Sequence, residues 1–302
     1  MSGSDWYRPP VRIGLDEPAR LIHKEHIKRK WLDLAYADLS PAHRLDIYLP
    51  KEGEGPFPVV VYVHGGAFAM GDKADEQIEP YLLGLERGYA IVSTNYRLSG
   101  EAVFPAAVQD VKAAIRWLRA HGDDHALDTD RLAVAGQSAG GNLSAVVALS
   151  SRVELFDDPA LGNAEYSCEV RAAVDHFGPT DFLKMDEQLA ASGLGPANHS
   201  EADSPESRYL GARITEIPDT VRQADPITYI HKEMPPMLIQ HGTADCEVPV
   251  QQSQELAKAI SARVGRDRFE LDLLEGEVHS GPRFWTKQNM DRVFTFLDRY
   301  LK

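Results

Sequence analysis

From residue 59 onward the chain repeats one pattern: a short apolar run, then a longer stretch whose apolar positions recur every three or four residues. Val59 to Val63 is an unbroken run rich in β-branched side chains, as in strands covered on both faces. Similar runs occupy 89–94, 132–136, 171–177, 237–240 and 269–274. Between them, Val108, Val111, Ile115 and Leu118 share one face of a predicted helix, and 250–264 and 284–301 are patterned alike. Upstream, 30–36 and 44–49 alternate apolar with polar residues, the signature of half-buried strands, and Pro41 and the 50–58 loop punctuate them. These two predict an antiparallel pair at a sheet edge. The whole alternation predicts an α/β architecture, a mostly parallel eight-stranded sheet with helices on both faces.

Two stretches fall outside the pattern. Residues 1–25 are polar and carry Pro9, Pro10 and Pro18, which predicts an N-terminal arm. Residues 179–236, between the sixth and seventh strands, are rich in Gly, Pro, Ser and Asp, with only short helical patterns. A connection this long inside a compact unit predicts a cap or lid. The expected organisation is therefore one domain over 1–302, with an arm and a cap-like excursion.

Composition narrows the function classes. The 302 residues are 43% hydrophobic and 26% charged, as in soluble globular proteins, and the formal net charge of −14 opposes nucleic-acid binding. No apolar run approaches the roughly 18 residues that span a membrane, and the first residues lack a signal-peptide pattern, so a cytoplasmic location is expected. Cys168 and Cys246 are placed at opposite ends of neighbouring strands, too far apart for a disulfide, which predicts two thiols.

Within the run at 132–136 the strand breaks into Gly136-Gln137-Ser138-Ala139-Gly140 and continues as a helix. Gly-x-Ser-x-Gly at a strand-to-helix turn lifts a serine hydroxyl clear of the sheet. A serine hydroxyl needs a base to take its proton and an acid to orient that base. In an open α/β sheet these follow in the order nucleophile, acid, base at the carboxyl ends of strands. Asp245 follows the 237–240 strand and His279 follows the 269–274 strand, so Ser138, Asp245 and His279 are the candidate triad. Glu247 is the nearest competitor for the acid. His241, His176 and His64 stand before the acid or directly at strand ends and are worse placed as bases; His241 and His176 read as structural histidines. Developing negative charge needs preorganised donors. His64-Gly65-Gly66-Ala67-Phe68 follows a buried strand, and its small residues let backbone N–H groups converge. Ala139 N–H, at the start of the next helix, adds another donor.

These motifs resemble the α/β-hydrolase superfamily, in particular esterases with a His-Gly-Gly-x oxyanion loop grouped with feruloyl and acetylxylan esterases. The resemblance runs from about Leu45 to Leu301. It is carried by the loop at 64–73, Asn95-Tyr-Arg-Leu98, 104–111, Gly136-Gln-Ser-Ala-Gly-Gly141, Phe177-Gly-Pro-Thr-Asp-Phe182 and His241-Gly-Thr-Ala-Asp245. It implies a serine carboxylesterase acting through an acyl-enzyme on short-chain or aryl esters, feruloyl or acetyl esters of plant carbohydrates among them. It also implies that N–H groups of Gly66, Ala67 and Ala139 bind the oxyanion. Ala67 departs from the usual third glycine, and Gln137 stands where an acidic residue is common, so the contact of that carboxylate is missing. Phe68, Phe177, Phe284 and Trp285 lie beside the motif loops and are expected to wall the pocket. No metal set or dinucleotide fingerprint occurs, so no cofactor is expected. The expected partner is a small-molecule ester, with no nucleic acid or membrane, and homodimerisation is left open. The alternatives are a formamidase-type amidase with the same triad and a non-catalytic ligand-binding protein on this scaffold.

Overall fold

The computed structural model describes residues 25–302, so nearly all of the expected N-terminal arm lies outside the described residues. Eight strands form one sheet: β1 (Lys30–Ala35), β2 (Arg44–Tyr48), β3 (Phe57–Val63), β4 (Ala90–Thr94), β5 (Leu127–Gln137), β6 (Ala172–His176), β7 (Met237–Gly242) and β8 (Phe269–Leu274). Their order is β1-β2-β4-β3-β5-β6-β7-β8. β2 runs against both β1 and β4, while β4, β3, β5, β6, β7 and β8 are mutually parallel. Six strand ends therefore point the same way, and the loops leaving them share one edge of the sheet.

The helices are α1 (Glu79–Leu82), α2 (Ala106–His121), α3 (Ala139–Leu149), α4 (Met185–Ser192), α5 (Pro205–Leu210), α6 (Pro218–Ala224), α7 (Gln251–Val264) and α8 (Lys287–Leu301). Every residue of β3 is buried, as its unbroken apolar run requires. Its side chains alternate between the two faces. Val59, Val61 and Val63 join the core with Val108, Val111, Ile115 and Leu118 of α2. Val60 and Tyr62 join the core with Phe294 and Leu297 of α8. α8 begins three residues later than its apolar pattern suggests. Pro282–Trp285 forms a separate tight turn, and the Thr286 side chain then accepts from Asn289 N–H to start the helix.

Two local expectations need correction. β5 begins at Leu127 rather than 132, because the polar residues 128–131 still continue the strand. β2 is not half-exposed, since Leu45 through Tyr48 are all buried. Its polar residue Asp46 does not face solvent, but pairs with Lys73 Nζ at 2.9 Å and accepts from the Tyr48 hydroxyl at 2.9 Å. Period-two alternation cannot distinguish a wet polar residue from a buried, paired one.

Residues 179–236 carry α4, α5 and α6 and are not a loose excursion. Phe182, Met185, Tyr209, Ile214 and Val221 are buried in the same core as the sheet and α2. Phe68, in the loop after β3, stacks on Tyr209 of α5 with ring centroids 3.9 Å apart. This segment sits over the strand ends from which the site is built. Cys168 and Cys246 form no disulfide, and among the described residues no helix is long and apolar enough to cross a membrane.

Candidate active site

The turn from β5 into α3 is drawn tight by glycine. A Cβ on Gly140 would stand 2.1 Å from the Val63 carbonyl oxygen, and one on Gly136 2.2 Å from that of Gly140. No side chain fits at either position, so the helix presses directly on the sheet. Ser138, between them, is held at φ 54° and ψ −123°, a conformation few non-glycine residues adopt. Its N–H donates to the His176 carbonyl at 2.9 Å, which fixes the strained turn to β6.

The loops after β7 and β8 converge on this serine. His279 Nε2 lies 3.0 Å from Ser138 Oγ, and His279 Nδ1 lies 2.7 Å from Asp245 Oδ2. Asp245 Oδ1 accepts from the N–H groups of Glu247 and Val248, each at 2.9 Å. Burial pushes the Asp245 carboxyl up, but the positive charge available on His279 and the hydrogen bonds of His241 and His279 outweigh it and hold the group well below the usual carboxylate range. A buried, ionised acceptor of this kind keeps the proton on Nδ1 and leaves Nε2 to accept from the serine. Glu247, the competitor for the acid, approaches the other ring nitrogen at 3.9 Å and is half-exposed.

The remaining histidines have other partners. His241 is buried, with Nδ1 2.7 Å from Ser253 Oγ and Nε2 2.9 Å from the Val248 carbonyl. It steadies the loop that carries Asp245. His176 Nε2 meets the Tyr81 hydroxyl at 2.8 Å, and burial lowers the group to about 3, so it is neutral. His64 stacks on Tyr96 with centroids 4.5 Å apart, and burial lowers it too.

Ser138 and His279 open into a cavity of about 530 Å³ whose lining includes Ala67, Phe68 and Ala139. Ala139 is the first residue of α3, so its N–H has no acceptor within the helix. Ala67 and Phe68 both adopt positive φ, 52° and 59°, in the turn after β3. Gly66 stands one residue behind the lining. Its φ is 127°, and a Cβ there would lie 2.3 Å from the Met70 carbonyl oxygen, so only glycine permits the turn that presents Ala67.

Of the aromatic residues expected to wall the pocket, the structure places only Phe68 in the lining. Phe177, Phe284 and Trp285 are core residues instead. Phe177 sets its ring edge-on to His279, centroids 4.7 Å apart, and Phe284 and Trp285 pack behind it. They support the histidine from below, because the tight turn at 282–285 drives both side chains inward.

Much of the rest of the wall comes from residues that sequence reasoning did not assign to the pocket. Asn198, His199, Glu201, Asp203 and Glu206 of the 179–236 segment line it, with Cys246 and Glu247 of the acid loop. Among the described residues, no lysine or arginine is in the lining. His199 Nδ1 lies 3.0 Å from Glu206 Oε1. Burial lowers His199, but this carboxylate and its neighbours more than reverse that and raise it. No periodicity marks these residues, since they come from irregular loops and one short helix. Among the described residues no group of three or more His, Cys, Asp or Glu is arranged to hold a metal ion.

The BD-FAE family profile matches residues 45–260. The chain is 31% identical over 225 residues to the probable carboxylic ester hydrolase LipM of Mycobacterium tuberculosis, covering 74% of this chain and 49% of that protein. It is 30% identical over 260 residues to esterase LipC of the same organism, covering 86% of this chain and 61% of LipC. The chain thus spans about half to three-fifths of the length of these relatives. Among solved structures, a truncated carbohydrate esterase from gut microbiota superposes with a TM-score of 0.81 at 28% identity, covering 93% of this chain and 99% of that one.

Proposed function

This chain belongs to the BD-FAE family of α/β-hydrolases, and from that premise we propose that it hydrolyses carboxylic esters through an acyl-enzyme on Ser138. The observation that carries the proposal is the hydrogen-bonded line Asp245–His279–Ser138, opening into a cavity beside Ala67 and Ala139. His279 Nε2 takes the serine proton as Oγ attacks the ester carbonyl. The carbonyl oxygen becomes an oxyanion that accepts from the N–H groups of Ala67 and Ala139, with Gly66 as a further donor. The imidazolium, stabilised by Asp245, then gives its proton to the leaving alcohol. A water molecule, deprotonated by the same nitrogen, attacks the acyl-enzyme, and collapse of that second intermediate frees the acid and Ser138.

For the substrate we propose esters of hydroxyl-rich alcohols, acetylated or feruloylated sugars in particular. Glu201, Asp203, Glu206 and Glu247 offer acceptors to sugar hydroxyls, and among the described residues the lining has no lysine or arginine to welcome an acid. The likeness to the carbohydrate esterase supports the same reading. The amidase alternative gains nothing from relatives named as ester hydrolases. The two thiols support a cytoplasmic location, while the assembly, monomer or homodimer, is read by sedimentation. The test is a panel of p-nitrophenyl acetate, acetylated xylose, methyl ferulate, a succinate half-ester and an N-formyl substrate. Neutral esters are expected to turn over, with the succinate half-ester at least about tenfold slower in kcat/KM, a difference of roughly 1.4 kcal/mol, because its carboxylate meets like charges in the lining. Preference for the N-formyl substrate or for the anionic ester contradicts the proposal.

A further inference from the structure

Behind the oxyanion loop lies a polar link that the triad does not use. Asp75 is buried, and it accepts from the Gln77 backbone N–H on Oδ1 and from the Gln77 side-chain Nε2 on Oδ2, each at 2.9 Å. Two bonds to one carboxylate fix which way the Gln77 amide faces, and turn its oxygen toward the active site. That oxygen accepts twice. Gly65 N–H donates to it at 2.8 Å, and Gln137 Nε2 donates to it at 2.5 Å. Gly65 precedes Gly66 and Ala67 in the loop after β3, and Gln137, the last residue of β5, precedes Ser138 and the first residue of α3, Ala139. The two segments that supply the oxyanion donors are therefore tied to one oxygen atom. They are also in close contact there: a Cβ on Gly65 would meet the Gln137 carbonyl oxygen at 2.9 Å and Gln77 Oε1 at 3.2 Å.

We propose that Gln77, oriented by Asp75, is a positioning residue that sets the spacing between the two halves of the oxyanion hole. The inference rests on the esterase reading of Ser138. Donors act on a developing oxyanion only within about 2.7–3.1 Å of the place it will occupy, and a misplacement near 1 Å costs about 10²-fold in rate. The Gly65 N–H is buried, so losing its acceptor favours a shift of the loop. Gln137 serves here as a donor, and an acidic residue in its place would set a carboxylate against the Gln77 oxygen.

The test compares wild type, Gln77→Ala and Gln77→Met, the last keeping the bulk and losing the hydrogen bonds. Three quantities are read on p-nitrophenyl acetate: kcat, KM, and Ki for a trifluoromethyl ketone, whose tetrahedral hemiketal adduct on serine carries the oxyanion. Both variants are expected to lose about 10- to 100-fold in kcat with KM within about threefold, and the ketone Ki is expected to rise by a similar factor. Melting temperature is measured beside them. A variant that melts earlier but keeps kcat and Ki within twofold of wild type overturns the proposal, because it shows a merely structural role. If Gln77→Ala does not fold, Gln77→Met decides alone; if neither folds, Asp75→Asn is read by the same kcat and Ki criteria. Ser138→Ala separates the two levels. Turnover surviving in that variant sinks the esterase reading, whereas turnover lost there and unchanged in Gln77→Met sinks only the positioning role.

Discussion

Replacing Asp245 by asparagine changes one atom and should remove most of the catalysis. Four groups surround the carboxylate: Glu247 and Val248 N–H at 2.9 Å on Oδ1, His279 Nδ1 at 2.7 Å and His241 Nε2 at 3.3 Å on Oδ2. The asparagine oxygen will stay with the two backbone donors, since losing both leaves buried N–H groups unpaired. Its NH₂ then faces His279 Nδ1, which must become an acceptor. The ring proton moves to Nε2, 3.0 Å from Ser138 Oγ, where the base was. The same substitution in a serine protease triad costs about 10⁴ in kcat, so a loss of about 10³–10⁴, roughly 4–5.5 kcal/mol, is expected here. The NH₂ also confronts His241, so stability falls, and the assay is normalised to folded enzyme measured by circular dichroism. Stopped-flow hydrolysis of p-nitrophenyl acetate from pH 7 to 9 measures kcat. Glu247→Gln is the control, expected within about fivefold because a half-exposed charge pair is worth at most about 1 kcal/mol. Asp245→Asn within tenfold of wild type, or Glu247→Gln losing as much as Asp245→Asn, refutes the assignment of the acid.

Other predictions concern the frame around the site. Gly140→Ala places a methyl against the Val63 carbonyl, a backbone atom that cannot swing away, so it should cost at least about 1–3 kcal/mol in urea unfolding and abolish turnover at folded temperatures. Phe68→Ala removes a ring that is 1% exposed and stacked on Tyr209, and should cost about 3–5 kcal/mol while widening the pocket, read as a shift toward longer acyl chains. His176, fully buried and lowered to about 3, lies below its unfolded value near 6.5, so its contribution is present above pH 6.5 and is lost as pH falls toward 3. The stability gap between wild type and His176→Gln should therefore shrink by about 3 kcal/mol between pH 7 and pH 4, and a constant gap contradicts a neutral buried histidine. Burial raises Asp175 to about 6 and Asp225 to about 7, which acts in the opposite sense, favouring the fold below pH 4 and losing that contribution as pH rises through 6–7. The comparison with His176→Gln cancels these carboxylates.

The sheet was legible because its chemistry is redundant. Strands buried on both faces need long β-branched runs, and helices between them need one apolar stripe, so neither Val59–Val63 nor the stripe from Val108 to Leu118 admits another reading. The positions of Ser138, Asp245 and His279 followed from the same logic, since a parallel sheet gathers its strand ends on one edge. The structure brings these three within hydrogen-bonding reach of one another in that order. What stayed hidden depends on contacts between residues far apart in the chain. Phe284 and Trp285 were expected at the pocket because they are aromatic and close to His279 in sequence, but the turn at 282–285 points them into the core. Gln137 looked like a lost contact. Its partner, Gln77, lies 60 residues away in an irregular turn, and the pairing has no periodic signal. The carboxylates of 201–206 look like an ordinary solvated loop until the segment folds over the strand ends.

The central claim, that Ser138 is the nucleophile, is tested most directly by intact-protein mass spectrometry after a fluorophosphonate, with turnover of p-nitrophenyl acetate followed in the same samples. The account predicts one adduct per chain, located on Ser138 by peptide mapping, with turnover lost in proportion, and no adduct and no turnover in Ser138→Ala. Turnover that survives in Ser138→Ala, or an inactivating adduct on any other residue, contradicts it.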